Sequence, residues 1–306
     1  MKPAFISKLA NAGRHNSLTW RYGFNLRPTL EYKLKPRRLT DETARVLADL
    51  NRDGIAITSA EKLLGTESCF DELMQAINET EQEQSAALAK ARAQVNDAES
   101  DSEKTFVVEL LGSRPLLNPN NVFARFALEK NILRVANAYF EMYTRLRYYN
   151  IWHTFTTQAE ARQSQLWHRD REDHQILKVF TYFSDVDEGC GPLTYAPGSH
   201  SKGHVKREPE YFLEGGVKRS TDEQMARVVP QERWIKGTGS RGTIIFADTH
   251  GYHKGGLARE NERIMHVSMF TSHASQSQEL MELGDAVITT ADKEQAFALM
   301  HLRRKT

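Results

Sequence analysis

Apolar positions change their period about halfway along the chain. In the first half they recur at helical spacing. Thr40 or Asp41 can cap a helix that places Val46, Leu47 and Leu50 on one face, and Asp53-Gly54 stops it. Ile55-Ala56-Ile57-Thr58 then reads as a short strand. Residues 60–78 read as helical, with Leu63, Leu64, Phe70, Leu73, Met74 and Ile77 as the apolar set. Residues 79–104 are rich in Glu, Gln, Ala, Lys and Asp, and Leu88 and Val95 form their one apolar stripe. A solvated helix serving as a surface face or lid is expected there. Residues 106–111 suit a strand. Residues 121–142 read as one amphipathic helix, with Val122, Phe126, Leu133, Ala136 and Phe140 turned inward.

The next 130 or so residues switch to short β-like runs at 147–155, 176–183, 193–196, 242–247 and 264–271. Asp187-Glu188-Gly189, Pro197-Gly198-Ser199, Gly237-Thr238-Gly239 and Gly255-Gly256 supply turns between them. Many short strands without long helices between them predict an antiparallel barrel or jelly roll. Residues 277–302 read as a pair of helices ending in a basic tail. The pattern divides the chain into a basic arm (1–39), a single mainly β domain with flanking helices (40–273, helical insert about 60–142) and a helical tail (274–306).

Composition narrows the class. With 306 residues, 40% hydrophobic and 26% charged, the chain has ordinary globular make-up and room for a sizeable core. Forty-one Lys and Arg oppose forty Asp and Glu, so the net charge of +1 offers no general argument for nucleic-acid binding. Cys69 and Cys190 stand far apart, which excludes a disulfide scaffold and fits a reducing, cytoplasmic setting. No apolar run approaches the ~20 residues of a membrane span. Lys8 interrupts the short patch Ala4-Phe5-Ile6, which argues against a secretory signal. The first thirty residues hold Lys2, Lys8, Arg14, Arg21 and Arg27 and no acid. Such a start suits either a basic arm packed on the domain or a segment that touches a membrane surface.

Chemistry concentrates in the β half. Trp167-His168-Arg169-Asp170 sets an imidazole and a carboxylate two residues apart, on one side of an extended chain. His253 follows beside Gly255-Gly256, and Arg263 stands ten residues further, opening an apolar strand. Two histidines and one carboxylate form the facial triad of non-haem Fe(II) oxygenases, which leaves metal positions open for a cosubstrate and O2. A nearby arginine can hold a distal carboxylate bidentately. His250 competes with His253 as the distal ligand. No Gly-x-Ser-x-Gly elbow, phosphate-binding Gly-Lys-Ser/Thr loop or dinucleotide fingerprint is present.

These motifs resemble the phytanoyl-CoA dioxygenase family. The resemblance rests on His168-Arg169-Asp170, Glu188-Gly189-Cys190-Gly191-Pro192-Leu193 and Pro197-Gly198-Ser199-His200. It continues through Gly242-Thr243-Ile244-Ile245-Phe246, His253-Lys254-Gly255-Gly256 and Asn261-Glu262-Arg263. It spans roughly residues 40–273, more loosely over 60–145 and 205–235. The residue after the Gly-Gly pair is Leu257, where many members have Pro, and 79–104 looks like an insertion. The resemblance implies a double-stranded β-helix (jelly-roll, cupin-like) core and a dioxygenase that uses Fe(II), 2-oxoglutarate and O2 to hydroxylate an unactivated C–H bond. It favours His253 over His250 and implies metal ligation by His168, Asp170 and His253. Arg263 would hold the cosubstrate. A halogenase needs an open position for chloride, which Asp170 fills, so hydroxylation is the expected outcome.

Tyr148 and Asn150, alternating on the preceding strand, and Phe180, inward by parity, are candidates to contact or shape the cosubstrate site. Trp152 alternates with Tyr148 and Asn150 on that strand, and core packing is its better reading. Trp167, Arg169 and His250 are candidate substrate contacts. So are Lys206 and Arg207, in a loop running from 199 to 219. Arg171, Lys202, His204, Lys218, Arg219, Lys254 and Arg259 add to the cations expected near the mouth. That excess points to a small anionic substrate, such as an acidic sugar, lipid head group or natural product. The alternative on the same scaffold is a zinc-dependent hydrolase or a non-catalytic cupin-like module. Arg263 separates the two, because a hydrolase needs no buried clamp for a cosubstrate.

Overall fold

A computed structural model describes residues 16–35, 37–65, 69–95, 105–118, 121–283 and 292–300. In chain order the strands among them are β1 (Ile55–Ser59), β2 (Val107–Glu109), β3 (Leu116–Leu117), β4 (Arg145–Thr154) and β5 (Leu177–Tyr182). Then come β6 (Leu193–Tyr195), β7 (Phe212–Glu214), β8 (Val217–Arg219), β9 (Ile235–Lys236), β10 (Thr243–Asp248), β11 (His253–Gly255), β12 (Arg263–Thr271) and β13 (Glu282–Leu283). The major sheet runs β1-β10-β5-β12-β4-β2, antiparallel throughout. A second sheet runs β11-β6-β9. This is the expected jelly-roll, double-stranded β-helix architecture.

The two faces of the major sheet meet different neighbours. Ile55, Phe180, Tyr182, Ile245, Met265 and Val267 point inward and pack with Leu193 and Tyr195 of the second sheet. Leu146, Tyr149, Ile151, Leu177, Val179, Ile244 and Phe246 point outward and pack under helices. Burial on both faces explains the unbroken apolar run in β10.

Helix Asp41–Asp53 begins and ends as its sequence dictates. Thr40 accepts from the Thr43 N–H, Val46 and Leu50 are buried, and Gly54 closes the helix at φ 83°. Residues 60–78 form two pieces, Ala60–Leu64 and Phe70–Glu83, and Gly65 after the first has φ 73°. Helix Ser85–Gln94 follows, with Leu88 and Val95 buried as their spacing suggested.

Two expectations require correction. Residues 121–142 are two helices, Val122–Ala127 and Lys130–Phe140; Asn121 caps the first, and extended Glu129 caps the second with its own carboxylate. The strand expected at 106–111 within the 60–142 insert is present as β2, which joins the major sheet beside β4. Residues 277–283 are not the first of two helices. There the Leu280 N–H bonds the Arg147 carbonyl and β13 pairs with β3, so the backbone is held extended. Only Lys293–Ala298 is helical among the described residues of that tail. The arm's residues 1–15, part of the insert (96–104) and residues 284–291 and 301–306 lie outside the described residues.

Residues 19–34 form one π-helical and one α-helical turn region, Thr19–Phe24 and Leu26–Leu34. Trp20 is buried against the domain, so this part of the arm is packed on it. No helix among the described residues is long and apolar enough to cross a membrane.

Candidate metal centre

The residues around His168 are extended and are pinned to the strand that carries His253. The two histidines exchange backbone hydrogen bonds, His168 N to His253 O and His253 N to His168 O, both 3.0 Å. The Asp170 N–H donates to the Thr249 carbonyl at 2.9 Å. One donor atom from each of His168, Asp170 and His253 therefore lies within 4.8 Å of the others. Asp170 stands 4.0 Å from the His168 Nε2 and 3.9 Å from the His253 Nε2.

The protons are arranged for ligation. His168 Nδ1 donates to the Leu166 carbonyl at 2.8 Å and His253 Nδ1 to the Gly251 carbonyl at 3.0 Å. Those bonds leave each Nε2 lone pair free to face Asp170. Burial lowers both histidine pKa values, that of His168 well below the usual range, so the rings are neutral and available. Burial alone would raise the Asp170 pKa, but the Lys178 ammonium outweighs it and holds the carboxylate ionised. The Lys178 ammonium sits 2.7 Å from that carboxylate. Two neutral imidazoles and one carboxylate, preset around a common point, fit a divalent iron.

The loop geometry behind this arrangement depends on one glycine. Gly191 has φ +64°, and a Cβ there would come within 2.4 Å of the Leu257 backbone. The bend before β6 thus nests against Gly255-Gly256-Leu257, directly after His253.

The three residues open onto a cavity of about 740 Å³, within the ~300–1,000 Å³ usual for small-molecule sites. Arg263, at the start of β12, reaches this cavity from within the barrel. Its guanidinium is buried, its Nε has no partner, and its one recorded hydrogen bond is 3.3 Å to the Cys190 carbonyl. Burial pushes its pKa below the usual arginine value. A charge kept dry without a counterion is costly unless a ligand brings one.

The other expected residues separate into two groups. Phe180 and Arg169 line the cavity. Arg169 also donates to the Ser199 carbonyl and lies over the Tyr252 ring. Tyr148 and Asn150 do not line it. Tyr148 donates to Glu109 at 3.1 Å and accepts from Trp152, while Asn150 spends its amide on the Gly112 carbonyl and the Leu111 N–H. Trp167 is fully buried in a small core, edge-on to Trp234 and bonded to Asp222. His250 lies outside the three-residue cluster, its pKa pushed down to about 4 by burial and by Arg169. Lys206 and Arg207 turn away to the Ser201 and Arg227 carbonyls.

Two further cations, Lys178 and Arg219, line the cavity. Lys178 interrupts the apolar run of β5 at an inward position two before Phe180, a parity signal that was available. Arg219 comes from the hairpin β7–β8, whose Leu213, Val217 and Lys218 also line the cavity. The Gly215-Gly216 turn marks that hairpin in sequence. Arg219 is buried with its NH1 unpartnered, and Glu214 stands 3.5 Å from its Nε.

Fold and site together define a non-haem iron, 2-oxoglutarate-dependent oxygenase. Residues 51–261 match the family model described as phytanoyl-CoA dioxygenase (PhyH), and the chain belongs to that family. No curated protein matches its sequence. Among solved structures, EctD from S. alaskensis with 2-oxoglutarate and 5-hydroxyectoine is 17% identical, with 78% of this chain and 80% of that chain covered and a TM-score of 0.50. The epimerase SnoN in complex with Fe3+, alpha ketoglutarate and nogalamycin RO is 16% identical over 78% and 87%, TM-score 0.49. HygX from Streptomyces hygroscopicus with nickel and 2-oxoglutarate is 14% identical over 79% and 90%, TM-score 0.47. At this identity the likeness to EctD is one of fold alone.

Proposed function

We propose that this oxygenase hydroxylates an unactivated C–H bond of a small anionic substrate, with His168, Asp170 and His253 as its iron ligands. The observation that carries the reading is the common cavity. It joins the three-residue cluster to two buried, under-paired arginines, Arg263 and Arg219. One anion is accounted for by the far carboxylate of 2-oxoglutarate, which Arg263 would bind with its planar fork. The second arginine calls for a second anion, on the substrate.

Iron held by the three ligands, with 2-oxoglutarate, would supply activation of O2, the oxidant, one oxygen atom going to the substrate and the other into succinate as CO2 leaves. The chain's own residues do the positioning. His168 and His253 present Nε2, Asp170 supplies the charge, and Lys178 keeps that carboxylate ionised. Phe180, Leu193 and Met265 give the cosubstrate end an apolar wall that excludes water. Arg219 and Lys218 hold the substrate anion from the hairpin, a role that replaces the one expected of Lys206 and Arg207.

The test is a mass-spectrometric screen of metabolite extract for gains of one oxygen that require 2-oxoglutarate. The substrate found should carry a carboxylate, sulfate or phosphate. With it, Arg219→Met should raise the KM for substrate about tenfold or more and leave the KM for 2-oxoglutarate unchanged. A neutral hydrocarbon product, or equal effects on both constants, contradicts the proposal.

A further inference from the structure

The outer side of the N-terminal segment carries an apolar residue at every fourth position: Leu18, Tyr22, Leu26, Leu30 and Leu34. All are exposed, from 44% at Tyr22 to 79% at Leu34. The inner side is ordinary. Trp20, Asn25, Pro28 and Thr29 are buried. The Trp20 indole donates to Asp173 and Ser272, and the Asn25 side-chain Oδ1 accepts from the Ala274 N–H. These bonds fasten the segment without any help from the outer ridge. A helix on a protein surface normally turns polar residues to water. Single exposed leucines need no explanation, but a contiguous row of five does.

Charge indicates what the row meets. Residues 1–38 hold nine Lys and Arg and one acid, Glu31, a net charge of +8. The rest of the chain carries −7, which restores the total of +1. Glu31 is already paired with Arg27 at 3.0 Å and Lys293 at 2.6 Å. Over residues 16–38 six cations oppose Glu31; Arg21 and Arg37 are paired with Glu141 and Glu294 at 3.1 Å each, and Lys33, Lys35 and Arg38 remain to repel a second copy docking here. A surface of anionic phospholipid accepts both features at once, since leucines enter the acyl boundary while cations meet phosphates.

We propose that the ridge from Leu18 to Leu34 docks the enzyme on an anionic lipid bilayer surface. The latch gives this a consequence for the site. Trp20 holds Asp173, and the adjoining Arg171 and Glu172 line the cavity, so the docked segment adjoins the cavity rim. This inference does not depend on the identity of the substrate.

The experiment is co-sedimentation of the full chain with phosphatidylcholine vesicles, with and without phosphatidylglycerol. The protein should pellet with the anionic vesicles and stay in solution with the neutral ones, and added salt should weaken binding. The triple variant Leu26→Ser, Leu30→Ser, Leu34→Ser changes only exposed side chains. It should bind at least tenfold less and still turn 2-oxoglutarate over. Lys33→Glu with Lys35→Glu should lower binding similarly. No pelleting of the wild type, unchanged pelleting of the triple variant, or a wild-type dimer that the triple variant dissociates would each overturn the proposal.

Discussion

Arg263 is the residue whose energetics diverge most from its surroundings. A guanidinium without a counterion, held in an apolar wall, opposes folding until a carboxylate arrives. Arg263→Met should therefore leave the melting temperature of the ligand-free protein unchanged or higher. In the wild type, 2-oxoglutarate at a hundredfold excess over its Kd should stabilise by about 2.7 kcal/mol, and the variant should lose that response. A thermal melt with and without cosubstrate reads both effects. An Arg263→Met protein that still responds fully would reassign the clamp, with Arg219 the next candidate. That this side chain enters the cavity was legible from its place at the start of an apolar strand. Its lack of a counterion was not, because that depends on what the Glu188–Leu193 bend and β5 bring near it.

Helix Phe70–Glu83, strand β4 and the residue before β12 meet at His153. Its Nδ1 lies 2.5 Å from Glu81 and its Nε2 2.6 Å from Glu262, and Arg92 grips the same Glu262 at 2.6 and 2.8 Å. The network ties the insert to the strand that positions Arg263. Burial opposes a charge on His153, but the hydrogen bonds to the two glutamates prevail and raise its pKa. A raised histidine stabilises fully below its unfolded value of about 6.5, and that stability is lost as the pH climbs through the folded value. His153→Gln should cost about 1–3 kcal/mol at low pH. The gap to wild type should narrow as the pH rises, as chemical denaturation at several pH values can measure. A constant gap would mean that the ring acts by packing alone. At this scale the sequence was informative about strands and poor about breaks. The β5, β10 and β12 runs, apolar because both sheet faces are covered, stood out plainly. The break at Glu129 did not, since a glutamate that caps a new helix looks the same as one inside a long one. Nor did the extended path of 277–283, which is set by pairing with β3, a strand far away in sequence.

Across the whole molecule, two sheets enclose the site, a helical layer backs the major sheet, and the hairpin β7–β8 stands at the cavity. The positive charge is concentrated at one end of the chain. The fold class and the three-residue cluster could be reached from motif order. The full cavity lining could not, because Arg219 and Lys178 reach the cavity through the direction they face, and Lys206 and Arg207 share the same loop charge without lining it. The central claim is that His168, Asp170 and His253 form an iron centre that consumes 2-oxoglutarate. The direct measurement is succinate formed from 2-oxoglutarate by purified protein with Fe(II), compared across His253→Ala and His250→Ala. Succinate should form with the wild type and with His250→Ala, and should fall to background with His253→Ala. Full turnover by His253→Ala, or loss confined to His250→Ala, would contradict the account.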